Sequence, residues 1–501
     1  MPELFDLAVV GGGINGAGIA RDAAGRGLRV VLVEQGDLGG ATSSASTKLI
    51  HGGLRYLEQF EFRLVAEALA EREVLLRIAP HVVSPLEFVL PHEPHLRPRW
   101  MIRAGLFLYD TLGRRAFALG GSPTSLPRSR GVPLRAGGYG AGLKPEFRRG
   151  FVYADCWVDD ARLVVLNARG AAERGARILP RTRCVGGRRD GERWHLKLAA
   201  GNTTSEIEAR VLVNAAGPWV RSFLDRELRV RTPGAVRLVK GSHIVVPRLH
   251  DRAHAYILQN PDKRVVFMIP YEGRFTEIGT TDVVVADPDE PPRISRDETE
   301  YLCAAASRYA ARTVTPADVV WSWSGVRPLY DDGSADPSDI TRDYHFVLDE
   351  EGPPLLSIFG GKLTTYRKLA EHSLERLERW FPRRRPWTAS APLPGGDFGG
   401  ASFADVAAAF RARYAKLDPH WLERLLRRHG LCAAEILGGV RETADLGEAF
   451  GGGLYERELV YLTEREWARE PEDVLWRRTK CGLHMTPAER ERVADFMGAH
   501  A

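Results

Sequence analysis

Cysteine is scarce: there are five in 501 residues, Cys156, Cys184, Cys303, Cys432 and Cys481. They are scattered, odd in number and form no C-x-x-C pair. That argues against a disulfide framework and a thiolate zinc site and fits a reducing compartment, so no metal is expected. No run of 18 apolar residues occurs, so no spanning helix is expected. The chain enters its first apolar strand within a few residues of Met1, leaving no room for a signal peptide. A cytoplasmic protein, free or resting on the inner face of the cell membrane, is the expectation. The net charge is only +5, from 70 basic and 65 acidic residues, which gives no general case for nucleic acid. Internal repeats and low-complexity tracts are also lacking.

What is present is a globular composition, 44% apolar and 27% charged, in a chain too long for one core. Two or three domains are expected. The most informative stretch runs from Asp6 to Glu34. Leu7 to Val10 reads as a buried parallel strand, and Gly11, Gly13 and Gly16 complete G-x-G-x-x-G directly after it. An Ala-rich helix from about Ile14 to Gly25 and a second apolar strand, Leu28 to Val33, follow, ending on Glu34. Gly11 permits the tight turn, Gly13 lets backbone approach a pyrophosphate, and Gly16 lets helix and strand pack. The helix N-terminus meets phosphate charge. Glu34, 18 residues past the last glycine, can accept ribose hydroxyls and repels a 2′-phosphate. This unit alone does not choose between NAD and FAD.

The loop Gly36 to Lys48 is rich in glycine and hydroxyls, able to lay donors along an extended ligand or to serve as a solvated surface loop. His51 and Arg55 follow it closely. A helix is predicted from Phe62 to Ile78. From Arg97 to Arg115, Trp100, Ala104, Phe107, Leu108 and Leu112 recur at helical spacing among arginines, which suits either an anionic membrane surface or internal packing. Asp159 or Asp160 caps a further helix. Val211 to Trp219 reads as a strand entering a small-residue turn, with Ala215, Gly217 and Trp219 near a ligand. Beta-branched runs between Val236 and Val285 predict an antiparallel sheet containing His243 and Thr281. Leu355 to Tyr366 is a strand, the Gly360-Gly361 turn and a helix start. Three strand-to-glycine approaches, at Gly11, Gly217 and Gly360, fit an extended FAD better than NAD.

The segments Gly11 to Gly18, Ala41 to Leu57 and Asp155 to Leu163 resemble those of the FAD-dependent, respiratory glycerol-3-phosphate dehydrogenases of aerobic bacteria. So do Lys240 to His243, Ser324 to Leu329, Ile340 to Tyr344, Phe359 to Arg367 and, near the end, Leu475-Trp476-Arg477-Arg478-Thr479-Lys480. The departures fall in variable connections such as Gly120 to Gly138. The resemblance implies an α/β fold. A Rossmann-like FAD-binding domain (1–80, 150–225, 350–381) carries an inserted cap with a mixed or antiparallel sheet (81–149, 226–349) for substrate. A linker (382–400) leads to an all-helical domain (401–501).

It also implies oxidation of sn-glycerol 3-phosphate to dihydroxyacetone phosphate, hydride transfer to FAD N5, and a membrane quinone as electron acceptor. An anionic membrane surface and a second copy of the chain in a homodimer are the expected partners, and no nucleic acid is. A flavin oxidase using O2, of the glycerophosphate or amino-acid type, is the alternative. Assigned to the cofactor are Gly11, Gly13, Ile14, Asn15, Gly16, Glu34, Thr42, Ser43, Ser44, Lys48, Leu49, Ala215, Gly217, Trp219, Gly360, Gly361, Lys362, Leu363 and Thr364. A phosphate dianion needs fixed positive charge and bidentate donors, which points to Arg55, Arg327 and Arg342 with Lys362 beside the flavin. Tyr56 and Thr281 are further substrate contacts. A neutral histidine must take the proton of the C2 hydroxyl. His51 is the first choice as base and His243 a substrate-site contact, so the catalytic set is His51, Arg55, His243 and Arg327.

Overall fold

The computed structural model describes residues 2–94, 96–118, 126–135, 138–331, 343–382 and 384–499. Two large sheets and a helical unit build the protein. In the first sheet, Leu355–Phe359, Thr203–Asn214, Glu3–Val10, Val30–Val33 and Arg177–Leu179 lie parallel in that order, with His345–Asp349 antiparallel at one edge. An antiparallel meander, Arg183–Asp190 and Arg193–Ala200, hangs from Thr203–Asn214. The central strands read as continuous apolar runs because both their faces are covered. On one face pack the helices Ile14–Gly25, Asp160–Ala172 and Tyr366–Arg376; on the other lie Trp194, Phe223 and Leu224.

Ten strands form the second sheet. It is antiparallel except where Ala255–Gln259 runs parallel to Val83–Pro91. Trp321–Tyr330 pairs with Val236–Pro247 along its whole length. This sheet corrects two expected boundaries. Arg149–Val158 belongs to it, paired with Val83–Pro91, so the chain returns to the first domain at about residue 158 and not 150. Similarly, His345–Asp349 already belongs to the first sheet. The strand Arg149–Val158 is buried on both faces, which in sequence looks like a parallel strand of the nucleotide domain.

The expected linker is no loose spacer. Trp387 lies under the first helix and donates from Nε1 to the Asp22 carbonyl at 3.1 Å. A Cβ on Gly25 would stand 1.9 Å from its ring. Arg21 donates to the carbonyls of Ala391 and Pro392, and Leu393 is part of the main core. Proline and glycine signal the lack of a helix or strand there, not the lack of packing. The last hundred residues are helical around their own core, apart from a two-stranded ribbon, Ala449–Gly451 with Leu454–Tyr455.

Candidate cofactor and active site

The C-terminal ends of Glu3–Val10, Thr203–Asn214 and Leu355–Phe359 open onto one cavity of about 590 Å³. Gly11, Gly13, Ile14, Asn15 and Glu34 line it from the nucleotide unit, Ala215, Gly217 and Trp219 from the second turn, and Gly360, Gly361 and Leu363 from the third. The three glycines of the fingerprint are needed for different reasons. Gly11 has φ +115°, and a Cβ there would lie 2.3 Å from the Ala215 carbonyl oxygen. At Gly16 a Cβ would fall 1.9 Å from the Gly11 oxygen, so helix and strand could not close. On Gly13 it would meet only the Ser43 hydroxyl, at 3.1 Å, leaving room for a ligand beside the helix N-terminus.

Glu34 ends the second strand with its carboxylate accepting from the Gly12 and Gly36 N–H groups at 2.6 and 2.7 Å. Burial raises its pKa, and those two N–H groups oppose the rise. Asn15 donates to the Gly360 carbonyl at 3.2 Å and leaves its Oδ1 buried with no protein partner. An orphaned acceptor, a helix N-terminus that opens on Gly13 and a strand-end acid along one cavity suit a dinucleotide with a pyrophosphate in its middle.

The hydroxyl loop behaves differently from its sequence. Thr42 and Ser43 line the cavity, but Thr42 donates to the Val326 carbonyl at 2.6 Å and Ser43 accepts from the Ile14 N–H at 3.0 Å. Ser44 leans on the Ala41 carbonyl. Thr42 thus ties the loop to the second sheet, and Ser43 ties it to the first helix. Lys48, assigned to the cofactor, is instead fully buried, donating to both oxygens of Asp160 at 3.0 and 3.1 Å and lying 4.6 Å from the Trp323 ring centroid. Leu49 is core. Neither touches the cavity, because the chain turns inward at Lys48, which has φ +53°.

Around the Gly360 end stand most of the proposed substrate residues. The Thr364 hydroxyl accepts from the His51 N–H at 3.3 Å, holding that segment against the third turn. Lys362 lies 4.1 Å from the centre of the Tyr56 ring. Pro328 lines the cavity, and the next residue back, Arg327, donates to Thr280 Oγ1 at 3.0 Å and pairs with Asp282. Arg55 is placed by its backbone in the turn Leu54–Gln59; its side chain and all of Arg342 lie outside the described residues.

His243 is buried, its Nε2 sharing a 2.9 Å hydrogen bond with Thr47 and its ring stacked on Trp323. Burial, with the charges of Arg327 and Lys48, holds its pKa well below the usual range, so the ring is neutral at neutral pH. Glu277 lies 3.9 Å away, its carboxyl pushed well above the ordinary range by burial. Thr281 is turned into the cap, donating to Glu298 at 2.6 Å and accepting from the Ser242 N–H. Its hydroxyl is thereby occupied, and Thr280 is the threonine that meets Arg327.

Several cavity residues escaped the sequence reading: Arg181, Thr182, Arg226 and Asp289 from the two sheets' connections, and Glu470 and Arg477 from the helical domain. Only the Leu475 to Lys480 motif hinted at the last of these. Among the described residues no group of His, Cys, Asp and Glu could hold a metal ion.

Comparison with known proteins agrees with this geometry. Residues 6–367 match the family model described as FAD dependent oxidoreductase, and residues 386–501 that of the C-terminal domain of alpha-glycerophosphate oxidase. The sequence is 55% identical to a glycerol-3-phosphate dehydrogenase of Pseudomonas aeruginosa, covering 99% of this chain and 96% of that one. It is 51% identical to the aerobic glycerol-3-phosphate dehydrogenase of Escherichia coli, covering 99% and 97%. With a D-erythritol 1-phosphate dehydrogenase of Brucella abortus the identity is 49%, covering 99% and 98%. The crystal structure of a glycerol-3-phosphate dehydrogenase from Bacillus halodurans complexed with FAD superposes with a TM-score of 0.72 at 27% identity, covering 99% of this chain and 94% of that one. The chain therefore belongs to the FAD-dependent oxidoreductases and, within them, to the glycerol-3-phosphate dehydrogenases.

Proposed function

We propose that the protein oxidises sn-glycerol 3-phosphate to dihydroxyacetone phosphate and hands the electrons to a quinone at a membrane surface. The observation that carries this reading is the cationic, histidine-bearing rim at the Gly360 end of a dinucleotide cavity. FAD, when bound, supplies the hydride acceptor for C2. The chain's own residues do the rest. Arg327, with Arg55 and Arg342, binds the phosphate dianion through charge-assisted hydrogen bonds. Lys362, seated on Tyr56, adds positive charge where the substrate oxygens lie. His51, fixed through Thr364, accepts the proton of the C2 hydroxyl. His243, a buried ring that is neutral at neutral pH, is the second histidine of the site.

Membrane association rests on the helix Arg99–Ala118. Its inward face buries Leu106 and Tyr109; of the stripe named from sequence, Trp100, Ala104 and Phe107 face outward, while Leu108 is half-buried and Leu112 packs against the core. Trp100 is 71% and Phe107 64% exposed, and Phe60, in the loop before the adjoining helix, is 78% exposed. Arg97, Arg99 and Arg103 lie among them, a composition suited to an anionic interface. No helix among the described residues is long and apolar enough to cross a membrane.

The test is steady-state oxidation of glycerol 3-phosphate by the holoenzyme on anionic vesicles carrying a short-chain quinone, with D-erythritol 1-phosphate as competing substrate. Quinone reduction is expected, with the higher kcat/KM for glycerol 3-phosphate. Hydrogen peroxide formation in air without quinone reduction would favour the oxidase reading, which the match of the last domain to that of a glycerophosphate oxidase keeps specific. A preference for the tetritol phosphate would reassign the substrate.

A further inference from the structure

The motif Leu475 to Lys480 sits in the helical domain, yet its charged side chains pair with the nucleotide-binding domain, Arg478 and Lys480 buried and Arg477 partly so. The Arg478 guanidinium donates to both oxygens of Asp37, at 2.5 and 2.7 Å, and neither residue is more than 5% exposed. Arg477 donates to the same carboxylate from Nε at 2.5 Å and pairs with Asp473 through its other arm. Lys480 pairs with Asp159, the residue that caps Asp160–Ala172. From the other side, Arg181 donates to Glu470 and Asp473, each at 3.2 Å. Asp37 stands three residues past Glu34, the acid expected to hold the adenosine ribose. Glu470 and Arg477 are themselves cavity wall, with Gly36, Asp37, Arg181 and Thr182.

We propose that the helical domain is part of the cofactor site: Arg477, with Glu470 and Arg181, walls the adenosine end of FAD, and the Asp37–Arg478 pair holds that wall in place. A carboxylate this deeply buried between two guanidiniums makes undocking costly, since separation leaves Asp37 and Arg478 without their ion-pair partners while Arg477 keeps Asp473. A ligand that binds only the docked arrangement stabilises it in turn, by RT ln(1 + [L]/Kd). FAD and the helical domain therefore hold each other, and the packed strap through Trp387 and Leu393 keeps them within reach. The reading depends on FAD being the cofactor and not on which substrate is oxidised.

Two measurements test it. The first is FAD affinity of the deflavinated full-length protein, from quenching of flavin fluorescence, for the wild type and Arg477→Met, which keeps an apolar stem and removes the guanidinium. A roughly 10- to 100-fold weaker Kd is expected for loss of a charge-assisted contact. The second needs no variant: hydrogen exchange of the amides from Val474 to Arg478 in the wild-type protein, with and without FAD. Slower exchange with FAD is expected. An Arg477→Met affinity within twofold of wild type, or exchange indifferent to FAD, would overturn the proposal.

Discussion

Replacing Arg327 with alanine separates substrate binding from cofactor binding. In the ligand-free site its guanidinium is held by Thr280 and Asp282, and Asp282 is 39% exposed. An ion pair that open to water is worth at most about 1 kcal/mol, so a phosphate dianion displaces it readily. In the proposed substrate complex the same two arms would face the dianion, where each charge-assisted hydrogen bond contributes about 1.5–3 kcal/mol. Losing both costs about 3–6 kcal/mol of transition-state stabilisation, which at about 1.36 kcal/mol per decade is a roughly 150- to 25,000-fold fall in kcat/KM. The fall should appear chiefly in KM, because the phosphate is bound alike before and during hydride loss. Pro328 lines the cofactor cavity but the Arg327 side chain does not, so FAD affinity should stay within about twofold. The assay is steady-state kinetics with flavin occupancy measured in parallel, and Asp282→Asn as control, expected to keep near-normal kcat/KM. Unchanged KM in Arg327→Ala would refute the phosphate role; loss of flavin together with activity would show that the residue serves the fold.

Four other outcomes follow from the same structure. His51→Gln should slow flavin reduction roughly 10²–10⁴-fold with KM little changed, read by anaerobic stopped flow; a normal rate would remove His51 as the base. Lys48→Met strands the buried Asp160 carboxylate and should cost about 3–5 kcal/mol, read as a lower midpoint in denaturant, whereas a direct cofactor role would instead show as weak FAD binding in an undiminished fold. Glu298, 7% exposed, is held at a pKa of about 2: burial pushes it up, but hydrogen bonds from Lys240, Thr281, Ser295 and Ser242 outweigh that. Its contribution, about 3 kcal/mol, is present above the unfolded value near 4.5 and is lost as pH falls toward 2. Glu298→Gln should therefore flatten the acid limb of the stability curve, and an unchanged limb would contradict this assignment. Phe107→Glu should abolish pelleting with anionic vesicles at low salt while leaving activity toward a soluble acceptor intact; undiminished pelleting would place the membrane face elsewhere.

The nucleotide unit was legible because its requirements are local. Gly11 needs its φ and Gly16 its closeness to Gly11, and both sit in a strand–turn–helix pattern that periodicity reveals. The same holds for the Asp159 cap and the helices at Phe62–Ile78 and Arg99–Ala118. What sequence reading could not supply are contacts between distant segments. The partners of Lys48 and Asp37 lie 112 and 441 residues away, and no spacing rule announces a pair of that kind. Thr42 and Ser43 line the cavity, but their hydrogen bonds to Val326 and Ile14 could not be read from sequence, because composition gives a donor's type and not its direction. The strap from Trp387 to Leu393 looked like a spacer for the related reason that irregular backbone can be well packed. Thr281 and Thr280 are adjacent on a strand end, so their side chains diverge, and only the register with Ser242 and Glu298 shows which one is occupied.

The central claim is that glycerol 3-phosphate reduces the flavin held in this cavity. The most direct measurement is rapid anaerobic mixing of the purified holoenzyme with sn-glycerol 3-phosphate, following flavin absorbance near its long-wavelength maximum. Saturable bleaching is expected, with one equivalent of dihydroxyacetone phosphate formed per flavin and recovery of colour on adding quinone. Flavin that stays oxidised at saturating glycerol 3-phosphate would contradict it.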